Sequence, residues 1–200
     1  MRRLCTITTG GEDSGNATDS GAYPFFVRGR EVLRANTYSF DCEAVMTPGD
    51  GQGGTGKVFH YVNGKFEAHQ RVYVFKDFRG VLGPFFFYFV STFLGPSVLA
   101  RSNTVVMESL RRPMLAEFML RVPPLSEQAV IVAYLKRQAS ATDELLADAR
   151  CSIDLSRERR SALITAAVTG QLDVRTERPK TVSGGCQTGS IPDERMDHGN

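Results

Sequence analysis

Between residues 57 and 75 the chain reads KVFHYVNGKFEAHQRVYVF, and apolar positions there alternate with polar ones: Val58 and Val62 before Asn63-Gly64, Phe66 after it. Such alternation marks a strand with one buried face. Asn-Gly between two alternating runs is a two-residue turn signal, because both residues tolerate the positive φ of a tight hairpin turn. The pattern therefore predicts a β-hairpin closing at Asn63-Gly64, followed by a strand at 71–75, RVYVF. YPFFV at 23–27 and AVMTP at 44–48 read as further short strands, and the stretch at 8–24, TTGGEDSGNATDSGAYP, as a long polar loop.

Two segments carry a different texture. Residues 84–100, PFFFYFVSTFLGPSVLA, are almost wholly apolar. They fall short of the ~20 residues a membrane span needs, and Gly95-Pro96 interrupts them. A buried helix ending near Gly95 is the expectation. After Pro123-Pro124 there is no proline or glycine until Gly170, and Ser126 is placed to cap a helix with Glu127 and Gln128 in its first turn. Two seven-residue series run through it. One is Leu135, Thr142, Ala149, Ser156, Leu163; the other is Ala139, Leu146, Ile153, Arg160, Ala167. They alternate by three and four, the spacing of a coiled-coil seam. At 1.5 Å per residue the helix would be a rod of roughly 65 Å. A single helix of that length leaves its apolar stripe in water, so it needs a partner helix unless it folds back on its own domain.

The fold class expected is α+β: a mixed α/β domain over 1–122 with a hairpin, a long coiled-coil helix over 123–172, and a polar disordered tail over 173–200. The 200 residues, 42% hydrophobic, suffice for one ordinary domain and an appendage. The formal charge of +2 identifies no partner by itself; the placement of Lys and Arg matters more. Cys5, Cys42, Cys151 and Cys186 are scattered with no C-x-x-C pair, which suggests neither a zinc site nor a redox motif. Free thiols and no signal-peptide pattern point to a cytoplasmic protein.

DGQGGTGKV at 50–58 matches the G-x-x-x-x-G-K part of a phosphate-binding loop through Gly51, Gly56 and Lys57. Such a loop needs a helix immediately after its lysine, so that backbone N–H groups face the phosphates. A strand is expected here instead, and Val58 stands where the magnesium-holding Ser or Thr belongs. No histidine sits beside a nucleophile at a diagnostic spacing, and Asp50 with Lys57 is better read as turn chemistry than as an acid–base pair. No cofactor and no metal are expected. A nucleotide-binding enzyme would require ATP binding dependent on Lys57.

Nucleic-acid chemistry is better supplied. The hairpin carries Lys57, His60, Lys65, His69, Gln70 and Arg71, and an earlier cluster carries Arg28, Arg30 and Arg34. Lys and Arg reach phosphates, whereas Gln and Arg can pair bidentately with adenine and guanine edges. Gly51, Gly53, Gly54 and Gly56 would let backbone approach a duplex. The same charges would equally serve as a solvated face.

The run from Tyr23 to Phe75, with PGDG, GKVFHY and AHQRVYVF, resembles one family of target recognition domains of type I restriction–modification specificity (S) subunits. LRVPPLSEQAVIVAYL resembles the PLPPLxEQxxIxxxL signature that opens that family's spacer helix, and SRERRSALITAAVTGQLDV resembles the helix's end. The resemblance implies a non-catalytic subunit that reads double-stranded DNA. A complete S subunit has two recognition domains, each reading half of an interrupted site, on two long helices paired as an antiparallel coiled coil. Modification subunits bind around the helices and methylate adenine with S-adenosylmethionine, while a restriction subunit translocates and cleaves. Here Arg28, Arg30, Lys57, His60, Lys65, His69, Gln70 and Arg71 are the candidate DNA contacts. Leu135, Ala139, Thr142, Leu146, Ala149, Ile153, Leu163 and Ala167 form the candidate seam. One recognition domain and one helix are half of such a subunit: either a half that homodimerises and reads a palindromic interrupted site, or a truncated product that recruits a partner poorly. The alternative function is a non-DNA-reading interaction or anti-restriction remnant acting through its coiled-coil helix.

Overall fold

The computed structural model describes residues 1–51, 54–100 and 109–172; the expected tail at 173–200 lies outside the described residues. Six strands come first: β1 (Thr6–Thr9), β2 (Tyr23–Phe26), β3 (Val32–Ala35), β4 (Phe40–Pro48), β5 (His60–Ala68) and β6 (Val72–Lys76). Three α-helices follow: α1 (Gly83–Leu99), α2 (Arg112–Glu117) and α3 (Leu125–Val168). This is the α+β class read from the sequence. The chain divides into two compact units, Met1–Thr142 and Asp143–Asn200. Among the described residues no helix is long and apolar enough to cross a membrane.

In the first unit the strands form one sheet in the order β1-β6-β4-β5-β2-β3. Neighbours are antiparallel except β2 and β5, which run parallel. The end of β5 lies near the start of β4, with Phe66 opposite Phe40, whereas β6 begins at the far end of β4, with Val72 opposite Pro48. A flat nine-residue strand is about 30 Å long, and the three residues joining β5 to β6 cannot cover that distance. The sheet therefore coils until its distant parts meet. The segment after β1 meets the end of β5: the Glu12 N–H donates to the Ala68 carbonyl and the Gln70 N–H to the Glu12 carbonyl. A Cβ on Gly10 would overlap the Ala68 carbonyl, so only glycine fits this closure.

Alternation along the coiled strands produces two cores. Even-numbered positions Ala44, Met46, Phe66, Ala68, Val72 and Val74 turn to the inside with Phe26. Odd-numbered Val45 and Phe75, with Ile7, face outward and pack against Phe86, Val90 and Leu94 of α1. Phe75 and Phe86 meet with ring centroids 5.5 Å apart.

The expected hairpin is not formed. Asn63 and Gly64 lie in the middle of β5, paired with Glu43 and Cys42 in an unbroken register. A two-residue turn would set Val62 opposite Lys65. Val62 and Phe66 are instead four apart on one face of a continuing strand, and β4 satisfies its ladder past the Asn-Gly pair. Gly64 uses its freedom locally, at φ +128°, without reversing the chain. The apolar helix also runs further than expected: α1 passes Gly95-Pro96 and ends at Leu99, because one more turn buries Val98. The short edge strands β1 and β3 stand where the sequence showed no strand.

The helix α3 opens at Leu125, so Ser126 lies inside its first turn rather than at the cap; the Gln128 N–H closes that turn on the Pro124 carbonyl at 3.0 Å. Gln128 has no exposed surface. Its Oε1 accepts from the Leu82 N–H at 2.8 Å, and its Nε2 donates to the carbonyls of Pro123 at 2.8 Å and Gly80 at 3.2 Å. One amide thus ties the start of α3 to the turn that opens α1. Val132 completes this attachment in the helix-facing core.

Candidate nucleic-acid interface

The loop after β4 is fastened at several points. The Gly49 N–H donates to the Arg71 carbonyl at 2.8 Å, and the Leu110 N–H to the Gly49 carbonyl at 2.7 Å. A turn over 54–57 is closed by Lys57 N–H to Gly54 O at 3.0 Å and by Val58 N–H to the same oxygen at 2.9 Å. Gly54 lies against the Arg28 carbonyl and Gly56 against Gly95 of α1, so that a Cβ on either Gly54 or Gly95 meets backbone. Gln52 and Gly53 lie outside the described residues.

Asp50 organises the charges here. Its Oδ2 accepts from Arg71 Nη1 at 2.9 Å, and its Oδ1 lies 3.7 Å from Arg28 Nη1. Both arginines remain about half exposed, so each keeps donors free for a phosphate or a base edge. His60 joins the same place through a 3.1 Å contact between Nε2 and the Gly29 carbonyl, its ring lying 5.1 Å from that of Phe26. Lys57 is exposed on the 54–57 turn, and Arg30 is exposed one residue beyond Gly29. Arg28, Arg71 and His60 therefore come together, with Arg30 and Lys57 exposed on the segments beside them.

Of the other three, Lys65 stands elsewhere, while His69 and Gln70 lie beside this cluster but are tied into the fold. Lys65 places its ammonium 4.6 Å from the centroid of Tyr38, whose hydroxyl raises the lysine pKa, and Tyr38 in turn packs on Tyr23. Gln70 donates to Asp13 at 3.3 Å. His69 is buried; its Nδ1 accepts the Arg71 N–H at 3.0 Å, which leaves the proton on Nε2 beside Asp13. Burial, then the nearby Arg28 charge, lowers its pKa and keeps the ring neutral. His69 is thus taken up by the fold. A phosphate-binding loop is not formed, since strand β5 begins at His60 where a helix would be needed.

Of the seam positions, Leu135 is half-buried in the first unit, while Ala139 and Thr142 are exposed. In the second unit Leu146, Ile153 and Leu163 are exposed, as are Leu145, Leu155 and Ile164. Ala149 is exposed and Ala167 half-buried.

The model of the type I restriction modification DNA specificity domain matches residues 3–151. The chain belongs to this family. Among curated relatives of the specificity domain, the type I restriction enzyme EcoDI specificity subunit of Escherichia coli is 25% identical over 172 residues, 86% of this chain and 37% of that protein. The fold is also that of a solved type I restriction–modification S subunit from M. genitalium, with TM-score 0.57 and 17% identity over 82% of this chain and 43% of the other. A second solved chain, from work on complex assembly and conformational transition of the type I R-M system, matches with TM-score 0.61 and 18% identity over 82% and 44%. The chain thus spans less than half the length of each relative.

Sequence reading had missed two structural roles at this site. Gln128 stood in the spacer-helix signature, yet two of its three backbone partners, Gly80 and Leu82, are far away in sequence. Asp50 had been read as ordinary turn chemistry, and only the folded chain brings Arg28 and Arg71 to it.

Proposed function

We propose that this chain is a DNA-reading half of a type I specificity subunit. It is non-catalytic, works in the cytoplasm, and directs adenine methylation and restriction by partner subunits. The observation that carries this reading is the gathering of Arg28, His60 and Arg71 at the Asp50 loop, with Arg30 and Lys57 exposed on the segments beside them, in a chain of this family. Forked guanidiniums and an exposed ammonium on a braced loop suit phosphates and guanine edges. The exposed Leu146, Ile153, Leu155, Leu163 and Ile164 support a helical partner: either a second copy, giving two identical readers about a two-fold axis, or the helices of modification subunits.

The test is co-expression with the cognate modification subunit, followed by methylome sequencing. A symmetric interrupted motif with methylated adenines supports a paired homodimer. Loss of every motif, with modification subunits still bound through α3, would instead establish a remnant that works by its helix alone. Lys57→Ala is expected to weaken duplex binding on all sequences and to reduce the slope of log affinity against log salt by about one. An unchanged slope removes Lys57 from the phosphate contacts.

A further inference from the structure

At the end of β6 remote from Arg71, where Thr6 pairs with Lys76, the first unit contains a cavity of about 540 Å³. Arg2, Arg79 and Arg112 line it, together with Cys5, Ile7 and Pro113. No carboxylate is among its lining residues, and none of the three arginines forms an ion pair with a described residue. Three exposed arginines thus bring positive charge to one space with no carboxylate to neutralise it, an arrangement that an anion completes.

The walls are braced by hydrogen bonds that do not use up the charge. Arg112 spends one Nη2 donor on the Ile7 carbonyl at 2.9 Å, tying α2 to β1. The Arg79 backbone N–H donates to the Leu4 carbonyl at 2.8 Å, leaving its guanidinium free of that bond. Cys5 adds no negative charge, because burial pushes its thiol up to about 11. The remaining lining is Thr6, Ile7, Pro113 and Ala116, apolar except for the Thr6 hydroxyl. The volume lies within the range of small-molecule sites and far exceeds what a lone phosphate fills.

We propose that this cavity binds a small organic phosphate: a phosphoryl group held by the guanidiniums of Arg2, Arg79 and Arg112, with an uncharged body against Ile7 and Pro113. Guanidinium forks match phosphate oxygens two at a time, and the apolar wall gives the rest of such a molecule a place that bare pyrophosphate would leave empty. The site is separate from the Asp50 loop and does not depend on the DNA-reading proposal.

Calorimetric titration of the full-length chain with inorganic pyrophosphate and with adenosine 5′-diphosphate tests it. Saturable binding of both is expected, tighter for the nucleotide. Arg79→Ala should weaken each by about tenfold, the loss of a charge-assisted contact. Arg2→Ala, on an exposed side chain with no side-chain hydrogen bond among the described residues, is expected to weaken binding in the same direction and serves if Arg79→Ala fails to fold. Absence of saturable binding, or binding that neither variant alters, overturns the site. Displacement of the probe by duplex DNA would also overturn it as a small-molecule pocket, because it would assign the arginines to nucleic acid.

Discussion

Gln128→Leu is expected to lower the stability of the first unit by about 3 kcal/mol, read as a fall in the urea midpoint without a change in slope. Leucine has nearly the same volume and removes the amide without opening a cavity. It leaves the Leu82 N–H and the carbonyls of Gly80 and Pro123 facing an apolar side chain. Each orphaned buried group carries a desolvation penalty, and three together outweigh the gain from burying an apolar residue. Gln128→Glu provides the sharper comparison. It preserves an acceptor for Leu82 but turns an oxygen toward the carbonyls of Pro123 and Gly80, so it should be at least as damaging. A loss under about 0.5 kcal/mol in both variants, the size of an ordinary surface change, would show that the pin does not hold α3 to α1.

Gly95→Ala is expected to disturb the Asp50 loop from beneath. In the interior of α1 alanine improves intrinsic helicity by about 1 kcal/mol over glycine. Against that, its Cβ overlaps the carbonyl of Gly56, a backbone group that cannot swing aside as a flexible side chain would. Relief requires the 54–57 turn to move, and Lys57 and the Arg28 carbonyl packed on Gly54 move with it. A net destabilisation of about 1–3 kcal/mol is expected, the usual range for overpacking. Duplex affinity should weaken along with it, while the far-ultraviolet helical signal is retained. Unchanged DNA binding alongside the expected loss of stability would detach the turn from the reading surface.

Long, uniform features were the most legible in the sequence. The proline- and glycine-free stretch after Pro124 became one helix because nothing interrupts its hydrogen bonds for 44 residues. β6 and most of β5 followed from alternation. What failed were signals whose meaning depends on distant chain. Asn63-Gly64 is a turn signal only where no neighbouring strand prolongs the ladder, and β4 does so here. Gly95-Pro96 would end an exposed helix, yet α1 is buried, and packing Val98 outweighs the lost proline hydrogen bond. The four-residue edges β1 and β3 are too short to display a period. At the candidate interface, residue types were readable but their convergence was not: Arg28, His60 and Arg71 meet because the sheet coils, and no local pattern announces that coil.

The φ of +128° at Gly64 bears on any attempt to vary the strand β5. Combinatorial libraries that randomise β5 along its whole length would treat the site as open, since nothing lies near a Cβ there. Its backbone angle nonetheless excludes almost every other amino acid, whatever the space around it. Diversity should therefore be placed at Tyr61, Asn63 and Lys65, with the residue between the last two held constant. Libraries that ignore this will lose members to misfolding and mistake the loss for a failure to bind.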